Sequence, residues 1–368
     1  MLTAIDLFAG GGGLTVGLKR AGFKVVTAIE AEAHACATYA TNHPDVDLIR
    51  RDIKDVSARD SRTPLTKAPI DLVAGCPPCQ GFTSLTYKYR GEDKRNLLMF
   101  EMMRFVQDLK PRAIMMENVP GLIRRGAPLF KEFTRKLKNW GYRLEYGILN
   151  AADYGVPQWR RRLVLLGGLG FPISLPSPTH SKNGENGLSP WRTVKDAISH
   201  MEEPVTLQDA RNTGSPQERN WHVTRSLSAK NIKRIKVAKP GLTWRCIPEQ
   251  LRPKCHKGGY EGFTNVYGRM KWESPSPTIT GGCTTFSKGR FGHPTRNRTI
   301  SVREAALLQT FPEQYHLVTP YMEHACNIVG NALPCDFSEA VSRQCMMAFE
   351  NQRPPPSKVS SQKRIRIS

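Results

Sequence analysis

Short apolar runs alternate with stretches of helical periodicity from residue 2 to about residue 170. The runs Thr3–Leu7, Lys24–Ile29, Asp47–Ile49, Ile70–Ala74, Ala113–Glu117, Arg143–Leu149 and Leu163–Leu166 predict strands. Between them, Leu14–Ala21, Glu32–Thr41, Leu97–Leu109 and Phe130–Trp140 repeat apolar residues at the spacing of one helix face. Alternation of this kind predicts an α/β fold, a parallel-type sheet covered by helices on both faces. After Gly170 the pattern dissolves. Phe171-Pro172 through Pro190 is rich in Pro, Ser, Gly and Asn and reads as a linker; the stretch beyond has few periodic runs and many turn residues. Regularity returns at Ser301-Val302-Arg303-Glu304, a capping-box pattern opening a helix through Gln309, and again from about Asp336 to Phe349. From Gln352 onward the chain is basic, Pro/Ser-rich and expected to be disordered.

Composition narrows the class. No apolar run approaches the ~18–20 residues of a membrane span, and the N-terminus lacks a signal peptide's basic and apolar regions. A soluble, cytoplasmic protein is expected. Nine scattered cysteines, an odd number, favour reduced thiols over a disulfide framework. The net charge of +22 points to a polyanionic partner, and its location sharpens the point. Between Arg211 and Arg296 there are 17 Lys/Arg against four Glu and no Asp, a net of +13. The same segment holds Trp221, Trp244, Tyr260, Phe263, Tyr267, Trp272, Phe286 and Phe291. A solvated face explains charge along one helix; basic residues interleaved with aromatics over this length point to nucleic acid.

Candidate chemistry concentrates in Gly75-Cys76-Pro77-Pro78-Cys79-Gln80-Gly81-Phe82-Thr83-Ser84, directly after an apolar run. Ligands of open α/β sheets sit outside the carboxyl ends of the strands. Two prolines stiffen the approach to Cys79, as a nucleophile requires. Cys76-x-x-Cys79 also fits redox or metal use, but a thioredoxin-like pair should open a helix, which Pro77-Pro78 does not provide. Structural zinc wants two more ligands at short spacing, and a zinc deaminase wants H-x-E before the cysteines, whereas His200-Met201-Glu202 follows them. No metal is expected.

Asp6-Leu7-Phe8-Ala9-Gly10-Gly11-Gly12-Gly13-Leu14 is a glycine-rich turn between a strand and a helix, and it lacks the last glycine of a dinucleotide fingerprint. Glu30 ends the second strand, where a carboxylate can take both hydroxyls of a ribose. Asp52-Ile53 follows the third, suited to an adenine amino group and its apolar face. Adenosine recognition is expected; pyrophosphate binding is not. Glu117-Asn118-Val119 ends another apolar run, and a buried carboxylate there must be paired or protonated. In Gln158-Trp159-Arg160-Arg161-Arg162, strand alternation gives Arg160 and Arg162 a shared direction, toward a cleft or merely toward phosphate or solvent.

In this order the motifs resemble those of the cytosine-5 DNA methyltransferases, which use S-adenosyl-L-methionine. They are Phe8-Ala9-Gly10, Glu30, Asp52-Ile53, Pro78-Cys79-Gln80, Arg95-Asn96-Leu97-Leu98, Glu117-Asn118-Val119, Gln158–Arg162, Arg303 through Pro312, and Gly330-Asn331-Ala332. Pro-Cys-Gln with Glu-Asn-Val is highly specific; the glycine turn is not. The resemblance implies a Rossmann-like methyltransferase sheet over 1–178, a target-recognition domain over 179–299, helices over 300–350 completing the catalytic domain, and a basic tail over 351–368. It implies that a flipped-out cytosine in double-stranded DNA is attacked at carbon 6 by Cys79. Glu117 would hold or protonate ring nitrogen 3, Arg160 would bond the base carbonyl, and Arg162 would orient the Cys79 loop or the base. Phe8, Ala9, Gly10, Gly13, Leu14, Glu30, Asp52, Ile53, Pro78, Leu98 and Asn331 would line the cofactor pocket. A monomeric bacterial or phage modification enzyme, sharing its site with a restriction endonuclease, is the expected context. The sequence departs from the family pattern at Ala31, Arg51 and Ala332, none of which touches the chemistry. Related alternatives are the tRNA-modifying branch and a catalytically idle DNA-binding relative; the latter normally lacks Cys79 or Glu117, and both are present. No residue code reads the target sequence from this chain.

Overall fold

A computed structural model describes residues 1–59, 69–78, 97–257 and 264–352. Cys79, Gln80, Arg95 and Asn96 lie outside the described residues, as does nearly all of the expected tail. The strands are β1 (Thr3–Leu7), β2 (Lys24–Glu30), β3 (Asp47–Arg50), β4 (Leu72–Gly75), β5 (Ala113–Asn118), β6 (Tyr142–Asn150) and β7 (Arg161–Leu169). They form one seven-stranded sheet in the order β3-β2-β1-β4-β5-β7-β6. β1 to β5 pair in parallel, whereas β7 runs antiparallel to both β5 and β6. The parallel expectation therefore fails at β7. The exception matters, because reversal brings the amino end of β7 to the carboxyl edge where β5 ends.

Central strands are buried on both faces, which is why they read as continuous apolar runs. One face carries α3 (Leu98–Leu109) and α4 (Ala127–Asn139), joined to the sheet through Met102, Phe105, Phe133 and Leu137. The other carries α1 (Gly13–Arg20) and the C-terminal α10 (Cys335–Glu350), packed through Leu14, Leu18, Phe337 and Val341. α2 (Ala33–Asn42) follows β2, and its N-cap is the Glu32 side chain. Short helices α5 (Val194–Ile198), α6 (Leu207–Asn212) and α7 (Ala229–Val237) punctuate the basic segment.

α8 (Val302–Leu308) opens with the expected capping box: Glu304 N–H donates to Ser301 Oγ at 3.0 Å and Ser301 N–H to Glu304 Oε2 at 2.7 Å. α9 (Met322–Asn331) follows, a helix that the apolar pattern alone did not single out. A third core unites α8 and α9 with Val194, Trp221, Val223, Met270, Ile279 and Phe291. Much of the basic segment is thus built into the same core as the late helices. Among the described residues, Ile235, Ala238 and Phe286 form one small separate cluster and Trp244, Ile247 and Val266 another. Arg269, 5% exposed, braces this region by donating to the carbonyls of Ile235, Ala238 and His293. Among the described residues no helix is long and apolar enough to cross a membrane.

Candidate active site

At the carboxyl edge of β1 the chain turns sharply through Phe8 (φ +61°) and Gly10 (φ +53°). Gly10 N–H donates to Glu30 Oε2 at 2.8 Å, while Ala31 and Glu32 N–H both donate to Glu30 Oε1 at 2.8 Å. The carboxylate is held rigidly, with one free lone pair on Oε2. A Cβ on Gly10 would meet nothing within 4 Å, so this corner borders open space. The next glycines serve a different purpose. A Cβ on Gly11 would meet Ile328 Cγ2 at 2.4 Å, and one on Gly13 the Leu333 carbonyl at 2.6 Å. They admit the late helices. Ala9 and Leu14 are buried, Leu14 in the core beneath α10.

Asp52 is exposed and accepts Lys54 N–H at 3.0 Å, with Ile53 buried beside it. Leu98 is half-buried at the start of α3, Pro78 is half-buried, and Asn331 is exposed at the end of α9. Beneath the turn, Asp6 is fully buried. Its Oδ2 accepts the Thr15 hydroxyl at 2.7 Å, and its Oδ1 has no hydrogen-bond partner among the described residues. Burial, reinforced by Glu30, raises its pKa to about 7 against the hydrogen bond from Thr15.

The chemical half assembles where β4, β5 and the reversed β7 end together. Arg162 Nε donates to Glu117 Oε1 at 2.8 Å, an ion pair with both side chains mostly buried. Asn118 Nδ2 donates to the Pro77 carbonyl at 3.1 Å and its Oδ1 accepts Val119 N–H, tying the end of β5 to the Pro77-Pro78 approach. Cys76 lies among Glu117, Asp6 and Arg160. Enclosure pushes its thiol pKa well above the ordinary value, and the two carboxylates add to the effect. A thiol so disposed stays protonated and inert.

Arg160 is 2% exposed, and the two terminal nitrogens of its guanidinium meet backbone: Nη1 donates to Ile279 O at 2.9 Å, Nη2 to Gly330 O at 3.2 Å and Ala332 O at 2.9 Å, while Nε has no hydrogen-bond partner among the described residues. Burial, then repulsion from Arg162, lowers its pKa well below that of a free guanidinium. The two arginines are neighbours as expected, and their partners differ.

Two further positioning residues were not assigned a role from sequence. Gln158, fully buried, donates to Gln309 Oε1 at 2.7 Å and accepts Ile279 N–H at 2.9 Å, joining the entry to β7 with the basic segment and α8. Tyr315 donates to the Gly11 carbonyl and fixes the glycine turn from the far end of the chain. Nothing local marks either, because each partner is remote in sequence.

The family model for C-5 cytosine-specific DNA methylases matches residues 2–347. The type II methylase M.HgiDII of Herpetosiphon aurantiacus is 35% identical over 94% of this chain and 95% of its own length. The type II methyltransferase M1.HphI of Haemophilus parahaemolyticus is 32% identical over 95% and 88%. A crystal structure of a putative prophage-encoded DNA modification methyltransferase from E. coli superposes with a TM-score of 0.71 over 95% of this chain and 100% of that one, at 24% identity. That likeness speaks for the fold, and the sequence matches speak for the chemistry. The chain belongs to the C-5 cytosine-specific DNA methylase family and is a DNA (cytosine-5-)-methyltransferase.

Proposed function

We propose that the chain methylates carbon 5 of a cytosine swung out of duplex DNA, through a covalent adduct on Cys79, with S-adenosyl-L-methionine as methyl donor. The ion pair between Arg162 and Glu117, set where Asn118 grips the Pro77 carbonyl, carries this reading. An oriented, mostly buried acid beside the Pro77-Pro78 approach supports Glu117 as the residue that meets the base.

Carbon 6 of a stacked cytosine is out of reach, so the base must leave the helix. The Cys79 sulfur forms a bond to carbon 6 and electron density moves to carbon 5. Glu117 donates a proton to ring nitrogen 3, offsetting the charge that develops, and takes it back when the ring is restored. Carbon 5 takes the methyl group from the sulfonium, which leaves as a neutral thioether; the hydrogen on carbon 5 then leaves as a proton to water, and the bond between the Cys79 sulfur and carbon 6 breaks to restore the ring. Arg162, already on Glu117, is the arginine we assign to the base carbonyl. Arg160 acts by positioning: its donors hold residues 279 and 330–332 around the pocket. This reverses the division of labour expected from sequence.

The residues at the other end of the pocket fit an adenosine. Gly10 leaves room, Glu30 offers one lone pair to a ribose hydroxyl, and Asp52 with Ile53 presents an acceptor beside an apolar surface. Two of the four Glu30 sites go to Oε1 donors and one to Gly10, so one hydroxyl rather than two is bound directly. When bound, S-adenosyl-L-methionine supplies an electrophilic sulfonium methyl.

The basic segment meets the DNA. Because residues near 194–223 and 270–300 share a core with the late helices, we read the base-contacting unit as narrower than 179–299, centred on 227–267. The type II relatives support a restriction endonuclease acting on the same site.

The test is bisulfite sequencing of DNA from cells expressing the protein, alongside labelled methyl transfer to duplex DNA and to tRNA in vitro. Methylation at one recurrent duplex sequence, lost in Cys79→Ser, is expected. Transfer to tRNA alone, or full activity in Cys79→Ser, overturns the reading.

A further inference from the structure

We propose a transition-metal site between the start of α2 and the start of α9, formed by Glu32, His34 and His324. It would take a borderline divalent cation of the Zn2+, Co2+ or Ni2+ class. Each residue offers one ligand atom, and these atoms lie within 4.8 Å of one another. Glu32 Oε1 is 3.3 Å from His324 Nδ1, and the two imidazole rings lie 4.1 Å apart. Tetrahedral bonds of about 2.0–2.2 Å place ligand atoms roughly 3.4 Å from one another. The Glu32–His324 pair already has that spacing, and His34 closes by a side-chain rotation.

The site is preorganised by contacts that need no metal. Glu32 Oε2 caps α2 by accepting Ala35 N–H at 2.6 Å, which aims Oε1 at His324. The segment leading into α9 is tied to α2 by Val318 N–H donating to Thr38 Oγ1 at 2.9 Å. The Tyr321 ring walls one side, 5.5 Å from His34 and 5.7 Å from His324. Glu32 is exposed and both histidines are half-buried, leaving the remaining coordination position to water. Two imidazoles and a carboxylate suit Zn2+, Co2+ or Ni2+ better than the harder cations. A Glu32–His324 hydrogen bond alone accounts for one edge of the triangle and gives no role to His34.

The site is a clip and takes no part in the chemistry. Glu32 N–H donates to Glu30 Oε1, so a cation joining Glu32 to His324 holds the α2 entry, and with it the Glu30 carboxylate, against α9. Cysteine spacing could not indicate it, because its histidines come from opposite ends of the chain.

Metal-free, full-length protein is titrated with Co2+ in a Cys255→Ser background, which removes the thiol lying 3.2 Å from His256. The expected result is a single equivalent with nitrogen/oxygen-type visible absorption, no thiolate charge-transfer band and a raised thermal midpoint. His34→Asn and His324→Asn each weaken uptake about tenfold or more, while His200→Asn does not. Glu32→Gln, which keeps an oxygen for the cap, also weakens it. Metal-free melts check that each variant is folded. The proposal fails if the unmutated site takes up no Co2+, if a thiolate band dominates, or if the His34→Asn/His324→Asn protein keeps its equivalent.

Discussion

Arg160 and Arg162 stand two positions apart and are expected to fail differently. Removing Arg162 leaves Glu117 without its ion-pair partner; Arg162→Ala should lower methyl transfer by roughly 100- to 1,000-fold, the scale of losing one oriented donor in a preorganised site. Removing Arg160 takes a donor from three backbone carbonyls, of which Ala332 O keeps Gln309 Nε2 at 3.3 Å. Arg160→Met should cost roughly 3 kcal/mol or more in a urea melt. The family resemblance assigned Arg160 to the base carbonyl and Arg162 to the Cys79 loop or the base, whereas the terminal nitrogens of Arg160 are found on backbone carbonyls. Alternation orders side chains along a strand, whereas Arg160 precedes β7 and takes its direction from carbonyls at 279, 330 and 332. Asp6 carries a pH consequence. Its folded pKa, about 7, lies above the unfolded value of 3.8, so the folded state holds the extra proton between them. Stability contributed by this group is full below about pH 4 and lost as pH rises toward 7, on the order of 4 kcal/mol. Asp6→Asn should flatten that slope and gain stability at pH 8 relative to the parent, read from melts across the range.

Elements place these residues, and here the sequence was legible unevenly. Strand and helix positions follow from apolar spacing, since β1 and β4 are buried on both faces. Direction does not, because the hairpin of β6 and β7 inverts β7 through a turn whose signal is ordinary. The reversal is nonetheless what brings Arg162 to Glu117. α9 was missed because its environment, not its periodicity, makes it a helix against residues 280–281. A Cβ on Gly330 would meet the Thr280 carbonyl carbon at 2.2 Å. Gly330→Ala should therefore push α9 off that segment and weaken folding and cofactor binding together, measured by thermal melt and equilibrium binding. The loop after His293 is set by its ring, whose Nδ1 accepts Arg296 N–H at 3.0 Å. Burial, with Arg298, Arg296 and Arg269 nearby, depresses the His293 pKa to about 3. The unfolded chain takes up the proton first as pH falls, so the folded state loses stability from about pH 6.5 down to 3. His293→Asn keeps an acceptor for the loop and should reduce that acid sensitivity, seen as a smaller loss of melting temperature between pH 7 and 4.

At the scale of the molecule, the excess of 17 basic over four acidic residues between Arg211 and Arg296 should dominate non-specific binding. Affinity for unrelated duplex DNA is expected to fall linearly with the logarithm of salt, with a slope of about −0.9 per phosphate contacted. A flat salt response in a fluorescence-anisotropy titration would contradict that placement. Charge totals were readable from sequence, but how the segment divides was not, because Trp221 and Ile279 join the core of the late helices through contacts made only in three dimensions. The same long-range closure governs α10. Ser338 Oγ donates to the Leu14 carbonyl at 2.9 Å, and a Cβ on Gly17 would meet that hydroxyl at 2.2 Å. The first helix waits for nearly the last. While the ribosome is still at work, the glycine turn has no lid of protein behind it. A translation product broken off before Cys335 carries most of the active-site residues and is expected to show no methyl transfer in a labelled-cofactor assay.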